Sequence, residues 1–577
     1  MTQLRARGTG RVWLPAAFFA AFALVILGRL IELQVIDHGR YAQAAKNELL
    51  GNDTVFARRG SILDRNGNAL AESVDTWDIY VNARSWKDDG TANSASEALA
   101  RALRLNAAEL RAKVRQSKSV DVLIGRDVDY EIGKRIIHDR IAGIVALPNT
   151  ARVNPEGDLG GSILGFIGQD NSGLAGIEAA YNDTLQGKPG KAIYERDSTG
   201  EPIPFGQHIA SNPEPGKDLV LTIDRYIQLE AERRLDQAIK DHKAQGGAIV
   251  VMDPSTGEIL ALATKPGLTY STLNLDDPAQ MELFRNRAVS DLYEPGSVMK
   301  VITAASAIDQ GVVSPDTTYV DNGVVNIYET AIRNWDFQTY GTQTMTGVLQ
   351  NSINTGAIFM VEKLGAAAFQ RYLDAFGFGK TTGIDLTGEA EGIFRRPSDP
   401  GWSPVDLATQ SFGQSISVTP IQMTTAIAAA INGGNLVRPH LVKAIVGADG
   451  KRQEIKPEIL GRAISAESSA TMRQMLRDVV MPPERGYPGK PRNYTAGGKS
   501  GTANVPVAGH YDDHQVASFV GFAPGDDPRI LVMVKIDQNQ DLMTGTQAAS
   551  PIFAKFADDI LGYLNVRPDA ARFASSR

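Results

Sequence analysis

The apolar positions change period along the chain, and each change predicts a different element. From Val12 to Gly28 the sequence VWLPAAFFAAFALVILG is unbroken by charge. At about 1.5 Å of rise per helical residue the run covers roughly 25 Å of a bilayer core near 30 Å. Leu30 and Ile31 extend it past Arg29, whose stem can lie in the apolar layer while its head reaches water. A cleaved signal peptide would need a small-residue site just after its apolar core. Here one A-x-A, Ala21 to Ala23, sits inside the run and the next, Ala42 to Ala44, lies well beyond it. The following sequence, GRLIELQVIDHGRYAQAAKNELL, continues in a mostly helical pattern, so residues 12–32 are read as an uncleaved anchor. Arg5, Arg7 and Arg11 precede the span, and the positive-inside rule then puts the tail 1–11 in the cytoplasm and the bulk of the chain outside.

Beyond the anchor the period alternates between that of strands and that of helices. Arg59 to Gly67, RGSILDRNG, reads as a short strand running into an Asn-Gly turn. SNPEPGK, Ser211 to Lys217, has the composition of a linker. LVLTID, Leu219 to Asp224, leads into the helical pattern YIQLEAERRLDQAIKDHK. GGAIVVMDPSTGEILALAT then gives two apolar strands joined by a turn at Asp253 to Gly257. At the far end ASFVGFAP and RILVMVKI pair around Gly-Asp-Asp-Pro, and a helix follows from about Pro551 to Leu564. The last stretch, VRPDAARFASSR from Val566, reads as a frayed tail at 566–577. The order predicts an α+β protein: an anchor helix, a mixed region over 45–215, and a domain over 218–565 whose antiparallel sheet is flanked by helices.

Composition narrows the chemistry. The 577 residues are 43% hydrophobic and 22% charged, which fits folded domains rather than disorder or a polytopic membrane protein. The formal charge of −7 gives no basic surface for nucleic acid, so none is expected as a partner. The absence of cysteine removes disulfides, thiol nucleophiles and thiolate metal sites. The histidines form no H-E-x-x-H, and His510 and His514 lie in AGHYDDH, read as a surface loop; no metal site is expected.

The most informative stretch is EPGSVMKVITAASAID, where Pro295-Gly296 opens a helix with Ser297 and Lys300 in its first turn. The i, i+3 spacing puts both side chains on one face. A serine hydroxyl is a weak nucleophile, and a lysine amine can be its base once its own proton has gone. That takes burial and a second cation, because moving a lysine pKa from about 10.4 to about 7 costs the ammonium roughly 4–5 kcal/mol. Ser352-Ile353-Asn354 falls at a junction between a short helix and an apolar helix. Lys499-Ser500-Gly501-Thr502 sits in TAGGKSGTANV, a strand whose small residues allow close approach. A phosphate loop is excluded there because Asn493 stands where G-x-x-x-x-G-K needs its first glycine.

S-x-x-K, S-x-N and K-S-G-T in this chain order resemble the triplet of the penicillin-recognising serine enzymes. The segments RGSILDRNG, GLAGIEAAYNDTLQGKPG, MDPSTGEILALAT, RNRAVSDLYEPGS and SFGQSISVTPIQM are similar to those of class B penicillin-binding proteins, above all the cell-division D,D-transpeptidase. The resemblance implies a penicillin-binding transpeptidase domain, an elongated α+β pedestal and dimerisation domain, and no cofactor. It implies that Ser297 attacks the penultimate D-Ala of a peptidoglycan stem peptide, with Lys300 as base and Ser352 as proton relay. Asn354 would orient Lys300 and the substrate amide. Lys499 would be the second cation and, with Ser500 and Thr502, receive the substrate carboxylate, while Gly501 lets the acyl chain lie against the strand. The N–H groups of Ser297 and Thr502 would form the oxyanion hole. β-lactams are the implied inhibitors, and a lipid II polymerase of the SEDS type and other division proteins the implied partners.

One departure is Ser500, where threonine is commoner. Several alternatives stay open beside septal wall synthesis: an elongation-type transpeptidase, a D,D-carboxypeptidase, a β-lactamase and a division scaffold without catalysis. No E-x-x-L-N of a class A lactamase follows Asn354, the nearest stretch being Glu362-Lys363-Leu364-Gly365, and no Glu-Asp pair of a glycosyltransferase signature occurs.

Overall fold

A computed structural model describes residues 10–41, 50–55, 57–196, 202–274, 277–482, 486–507 and 510–574. The chain divides into two compact units, the first formed by Met1–Arg58 and Gly187–Pro215. It holds the helix Gly10–Ile31, on which Trp13, Leu14, Phe18 and Leu24 are all exposed. A helix that is apolar all round with nothing packed on it is matched to lipid rather than water. Trp13–Ile36 is long and apolar enough to cross a membrane, with mean hydropathy 2.2. The helix continues into a wider π turn, Glu32–Ile36, and Arg29 pairs with Glu32 at 2.7 Å. Residues 42–49 of the expected continuation lie outside the described residues. The same unit contains an antiparallel sheet in the order Leu50–Val55, Gly190–Arg196, Pro202–Ser211.

The second unit takes Arg59–Gln186 and Gly216–Arg577. One of its sheets runs Arg452–Glu454, Val442–Val446, Asp218–Leu221, Ile62–Leu63, Ala69–Asn82, with Asp121–Asp129 and Ile144–Val153 both paired to the long strand Ala69–Asn82. The helices Asp89–Leu103, Ala107–Gln116 and Tyr130–His138 enclose a separate small core around Ile79, Leu99, Leu110 and Ile136. Each of these helices starts on an Asp or Asn side chain that accepts from a first-turn amide: Asp88, Asn106 and Asp129.

The segment RGSILDRNG is a hydrogen-bonded knot. Arg59 is buried, with Nε 2.5 Å from Glu178 Oε2, Nη1 2.8 Å from Asn171 O and 3.0 Å from Asn182 Oδ1. Arg152 Nε donates to Glu178 Oε1 at 2.7 Å, so one buried carboxylate neutralises two guanidinium groups. Asp64 Oδ1 accepts from the amides of Asn66 and Asn68 at 2.9 and 2.8 Å, and Asn66 Nδ2 reaches Asp224 Oδ2 at 3.0 Å.

The larger core surrounds a five-stranded antiparallel sheet, in the order Ile259–Lys265, Gly246–Met252, Ile530–Asn539, His510–Ala523, Gly497–Val507. Its inner strands are buried along nearly their whole length, as strands covered on both faces must be. Helices Arg225–His242 and Ser550–Tyr563 cover one face; Met299–Asp309, Pro420–Ile431 and Ala466–Val480 pack together on the other. Every residue from Met299 to Ala307 is buried, so this helix lies in the middle of the domain. The sheet ends at the free edge of Gly497–Val507, and that edge faces the start of the buried helix.

Two local expectations need correction. His510 to His514 belong to the strand His510–Ala523 rather than a loop, because the ladder with Gly497–Val507 continues outward, His510 opposite Val507. The tail does not fray at Val566: Asp569–Ala574 is helical, Tyr494 OH donates to Val566 O at 2.7 Å and Arg572 pairs with Asp526 at 2.6 Å. Its polar composition hides a docking made through main-chain acceptors and ion pairs.

Candidate active site

The start of the buried helix carries the proposed nucleophile. Gly296–Val298 forms a 3-10 turn that runs directly into Met299–Asp309, with Ser297 half-buried at the cleft and Lys300 wholly buried behind it. Gly296 has φ 54°, and a Cβ there would lie 2.8 Å from Thr502 O, so both backbone conformation and the approach of the edge strand exclude a side chain. Gly501 is excluded from the other side, since its Cβ would come 2.6 Å from Pro295 O. The K-S-G-T strand and the serine turn are therefore in backbone contact, although two hundred positions of sequence separate them.

Lys300 Nζ stands 2.9 Å from Ser297 Oγ, 2.7 Å from Ser352 O, 2.8 Å from Asn354 Oδ1 and 3.3 Å from Ser352 Oγ. Burial, and then the charge of Lys499, push the Lys300 amine well below its ordinary range. A neutral amine has two N–H donors and one lone pair. The donors suit Ser352 O and Asn354 Oδ1, and the lone pair is left to accept the Ser297 hydroxyl proton. Lys499 Nζ donates to Ser352 Oγ at 3.0 Å and to Ser500 O at 3.1 Å, and burial brings its pKa down to about 7. Of the two amines sharing Ser352 Oγ, Lys300 is the one pushed further toward the neutral form, because burial and the neighbouring charge of Lys499 both act on it, and its two carbonyl partners suit the two N–H groups of a neutral amine.

The S-x-N loop owes its position to a network that sequence inspection did not find. Ser352 caps Met345–Asn351 at φ 57°, a left-handed conformation that turns its carbonyl and hydroxyl toward Lys300. Asn334 Oδ1 accepts the Asn354 amide at 3.1 Å, and Asn334 Nδ2 donates to Asp321 Oδ2 at 3.0 Å. Asp321 also accepts from Thr355 Oγ1 at 2.6 Å, the Tyr340 amide at 2.7 Å and the Gly323 amide at 3.0 Å. Burial opposes the Asp321 carboxylate, but these donors together hold it below its ordinary value. The one sequence signal was Asp321-Asn322-Gly323, a turn signature before an alternating stretch.

An open cleft of about 990 Å³ runs along the edge strand and is lined by Ser297, Ser352, Asn354, Lys499, Ser500 and Thr502. Thr546 Oγ1 bonds Ser500 Oγ at 2.9 Å and Thr502 Oγ1 accepts the Gly545 amide at 3.1 Å, which fixes the floor of the carboxylate end. Gly501 lies between Ser500 and Thr502 on the edge strand, against Pro295 of the serine turn, and all eight residues singled out in the sequence thus meet in one place. Among the described residues no group of three or more His, Asp or Glu side chains could hold a metal ion.

Comparison with known proteins gives the family. The penicillin binding protein transpeptidase domain family matches residues 247–558, and the penicillin-binding protein dimerisation domain family matches residues 54–221. Stage V sporulation protein D of Bacillus subtilis is 34% identical over 557 residues, covering 94% of this chain and 84% of that protein. Peptidoglycan D,D-transpeptidase FtsI of Escherichia coli is 30% identical over 94% of this chain and 90% of its own length. The crystal structure of penicillin binding protein 2X from Streptococcus thermophilus superimposes with TM-score 0.77 at 25% identity, covering 89% of this chain and 80% of that one. With the dimerisation domain ahead of the transpeptidase domain, the chain belongs to the class B penicillin-binding proteins.

Proposed function

We propose that this chain is a serine-type peptidoglycan D,D-transpeptidase, with Ser297 as nucleophile, Lys300 as base, Ser352 as relay and Lys499 as the carboxylate-binding cation. The observation that carries this is the unbroken line Ser297 Oγ, Lys300 Nζ, Ser352 Oγ, Lys499 Nζ, each step 2.9–3.3 Å, along the floor of an open cleft. Ser297 Oγ attacks the carbonyl carbon of the penultimate D-Ala, and its proton passes to Lys300 Nζ as the C–O bond forms. The negative oxygen of the tetrahedral intermediate faces the N–H groups of Ser297 and Thr502 at the sheet edge. Collapse breaks the C–N bond, and the leaving D-Ala nitrogen takes a proton from Lys300 by way of Ser352 Oγ. An amino group of a neighbouring stem then attacks the acyl-enzyme, forms the cross-link and returns its proton along the same path. A β-lactam acylates the same oxygen, but its opened ring stays tethered and blocks the acceptor.

A fluorescent penicillin tests these roles. The label should be stable on the wild type and absent from Ser297→Ala and Lys300→Ala, while Lys499→Ala labels slowly. Equal labelling of all variants would overturn the assignment, and release within seconds would favour a lactamase. The finer reading is septal: the anchor helix crosses the membrane with its N-terminus inside, lies beside a SEDS-type polymerase, and the enzyme works at the division site with other division proteins. It rests on the anchor's composition and on the RNRAVSDLYEPGS segment, where Asn286 caps Arg287–Ser290 and Asp291 pairs with Arg285 and Arg287 at 3.3 and 3.0 Å. Depletion should give filaments; round cells would assign it to elongation instead.

A further inference from the structure

The cleft carries a charge imbalance that the catalytic residues do not use. Among the described residues lining it there is no aspartate or glutamate, and there are two cations, Lys499 and Arg333. Lys499 bonds Ser352 and Ser500 on the floor, where the proposed function gives it the C-terminal carboxylate. Arg333 ends the strand Thr330–Arg333 on the opposite wall; its side chain is exposed to the cleft and pairs with no carboxylate among the described residues. Two nearby acids are engaged elsewhere: Asp321 in the network under the S-x-N loop, and Asp336 with Tyr340 OH at 2.7 Å and the Gln338 amide at 3.1 Å.

Arg333 is also held in register with the catalytic residues. Its backbone oxygen accepts from Asn354 Nδ2 at 2.9 Å, while Asn354 Oδ1 faces Lys300 at 2.8 Å. The neighbouring Asn334 holds the Asn354 amide, so the strand end cannot shift without moving the S-x-N loop. A guanidinium fork carried on a fixed backbone, in a cleft with no acid among its described lining residues, matches a carboxylate, which it can bind through two parallel N–H bonds.

Resting on the transpeptidase function proposed above, we propose that Arg333 forms a second carboxylate subsite, binding a side-chain carboxylate of a stem peptide apart from the C-terminal one received at Lys499, Ser500 and Thr502. The ligand class is therefore a stem peptide that carries a free acid along its length, and amidation of that acid weakens its use. The acid belongs either to the donor stem or to the acceptor stem, whose chemistry at Arg333 is the same.

The test uses the full-length protein in detergent micelles. Peptide thioester donors ending in D-Ala are prepared with a free side-chain carboxylate or its carboxamide, and acceptor amines are prepared as the same pair. The ratio of kcat/KM between acid and amide is measured in the donor arm and in the acceptor arm. A charge-assisted bond of about 1.5 kcal/mol corresponds to a preference of roughly tenfold. Wild type should show that preference in one arm, which identifies the stem concerned, and Arg333→Ala should bring the ratio to about one. Arg333→Lys should keep part of the preference, since the charge remains without the fork. A ratio near one in both arms for wild type, or a ratio that Arg333→Ala leaves in place, overturns the subsite. Should Arg333→Ala fail to fold, wild type and Arg333→Lys still decide by these ratios. Failure of the transpeptidase function itself has a different signature, the absence of a stable penicillin label on wild type.

Discussion

At the residue scale the central feature is a lysine on a helix with no wet face. A buried ammonium without a carboxylate is costly, and that cost pushes the Lys300 amine well below its ordinary range, toward the neutral form. Its role was open to sequence reasoning because Ser297 and Lys300 lie one turn apart and the helix after them is apolar throughout. The partners of Arg59 were not, since Glu178 and Asn171 lie more than a hundred positions away and nothing local marks them as its acceptors. The two lysines make a pH prediction whose sign is fixed. Lys499 titrates at about 7 in the folded cleft and in the range of ordinary lysine, 10.5, when unfolded. Between those values the unfolded chain binds a proton that the folded one lacks, so stability rises with pH across that window, by at most about 1.4 kcal/mol per pH unit for one lysine. Lys300 adds to the same trend. Thermal unfolding should therefore show a smaller gain in Tm from pH 7 to pH 9.5 for Lys499→Met than for wild type, and an equal gain would refute the buried, depressed amine.

At the element scale the site is an assembly of three ends: the start of a buried helix, the junction between two helices and the free edge of a sheet. Each end was visible in sequence as a local break in period, with glycine or a helix cap marking it. What placed them together was not visible, because the Asp321, Asn334 and Thr355 side chains that fix the junction come from separate elements with no shared motif. Asp321→Ala should leave several buried donors unpaired and lower stability by about 2–3 kcal/mol in urea unfolding. It should also slow penicillin acylation while leaving its pH profile unmoved, since Asp321 acts on the position of Ser352 and Asn354 rather than on a proton. A variant as stable as wild type would show that the network is dispensable. The start of the strand His510–Ala523 and the helix Asp569–Ala574 escape the sequence reading for a related reason: HYDDH is polar, DAARFA is short, and both are stabilised by pairing that composition does not record.

At the scale of the whole molecule the chain joins a lipid-matched helix, a hydrogen-bonded knot around Glu178 and a large mixed domain whose cleft opens at one sheet edge. The anchor, the α+β class and the position of the catalytic triplet were legible because each depends on composition or spacing over short stretches. The seven-stranded sheet was not, since it pairs Ile62–Leu63 with Asp218–Leu221 and strands near residue 444 with both. In the proposed reaction this organisation serves one chemical event, the transfer of an acyl group to Ser297 Oγ with Lys300 taking the proton. The most direct measurement is peptide mapping by mass spectrometry of the full-length protein after exposure to penicillin. One ring-opened adduct is expected, on the peptide containing Ser297, together with its loss in Lys300→Ala although Ser297 is still present. An adduct on any other residue, or an undiminished adduct on Ser297 without Lys300, would contradict it.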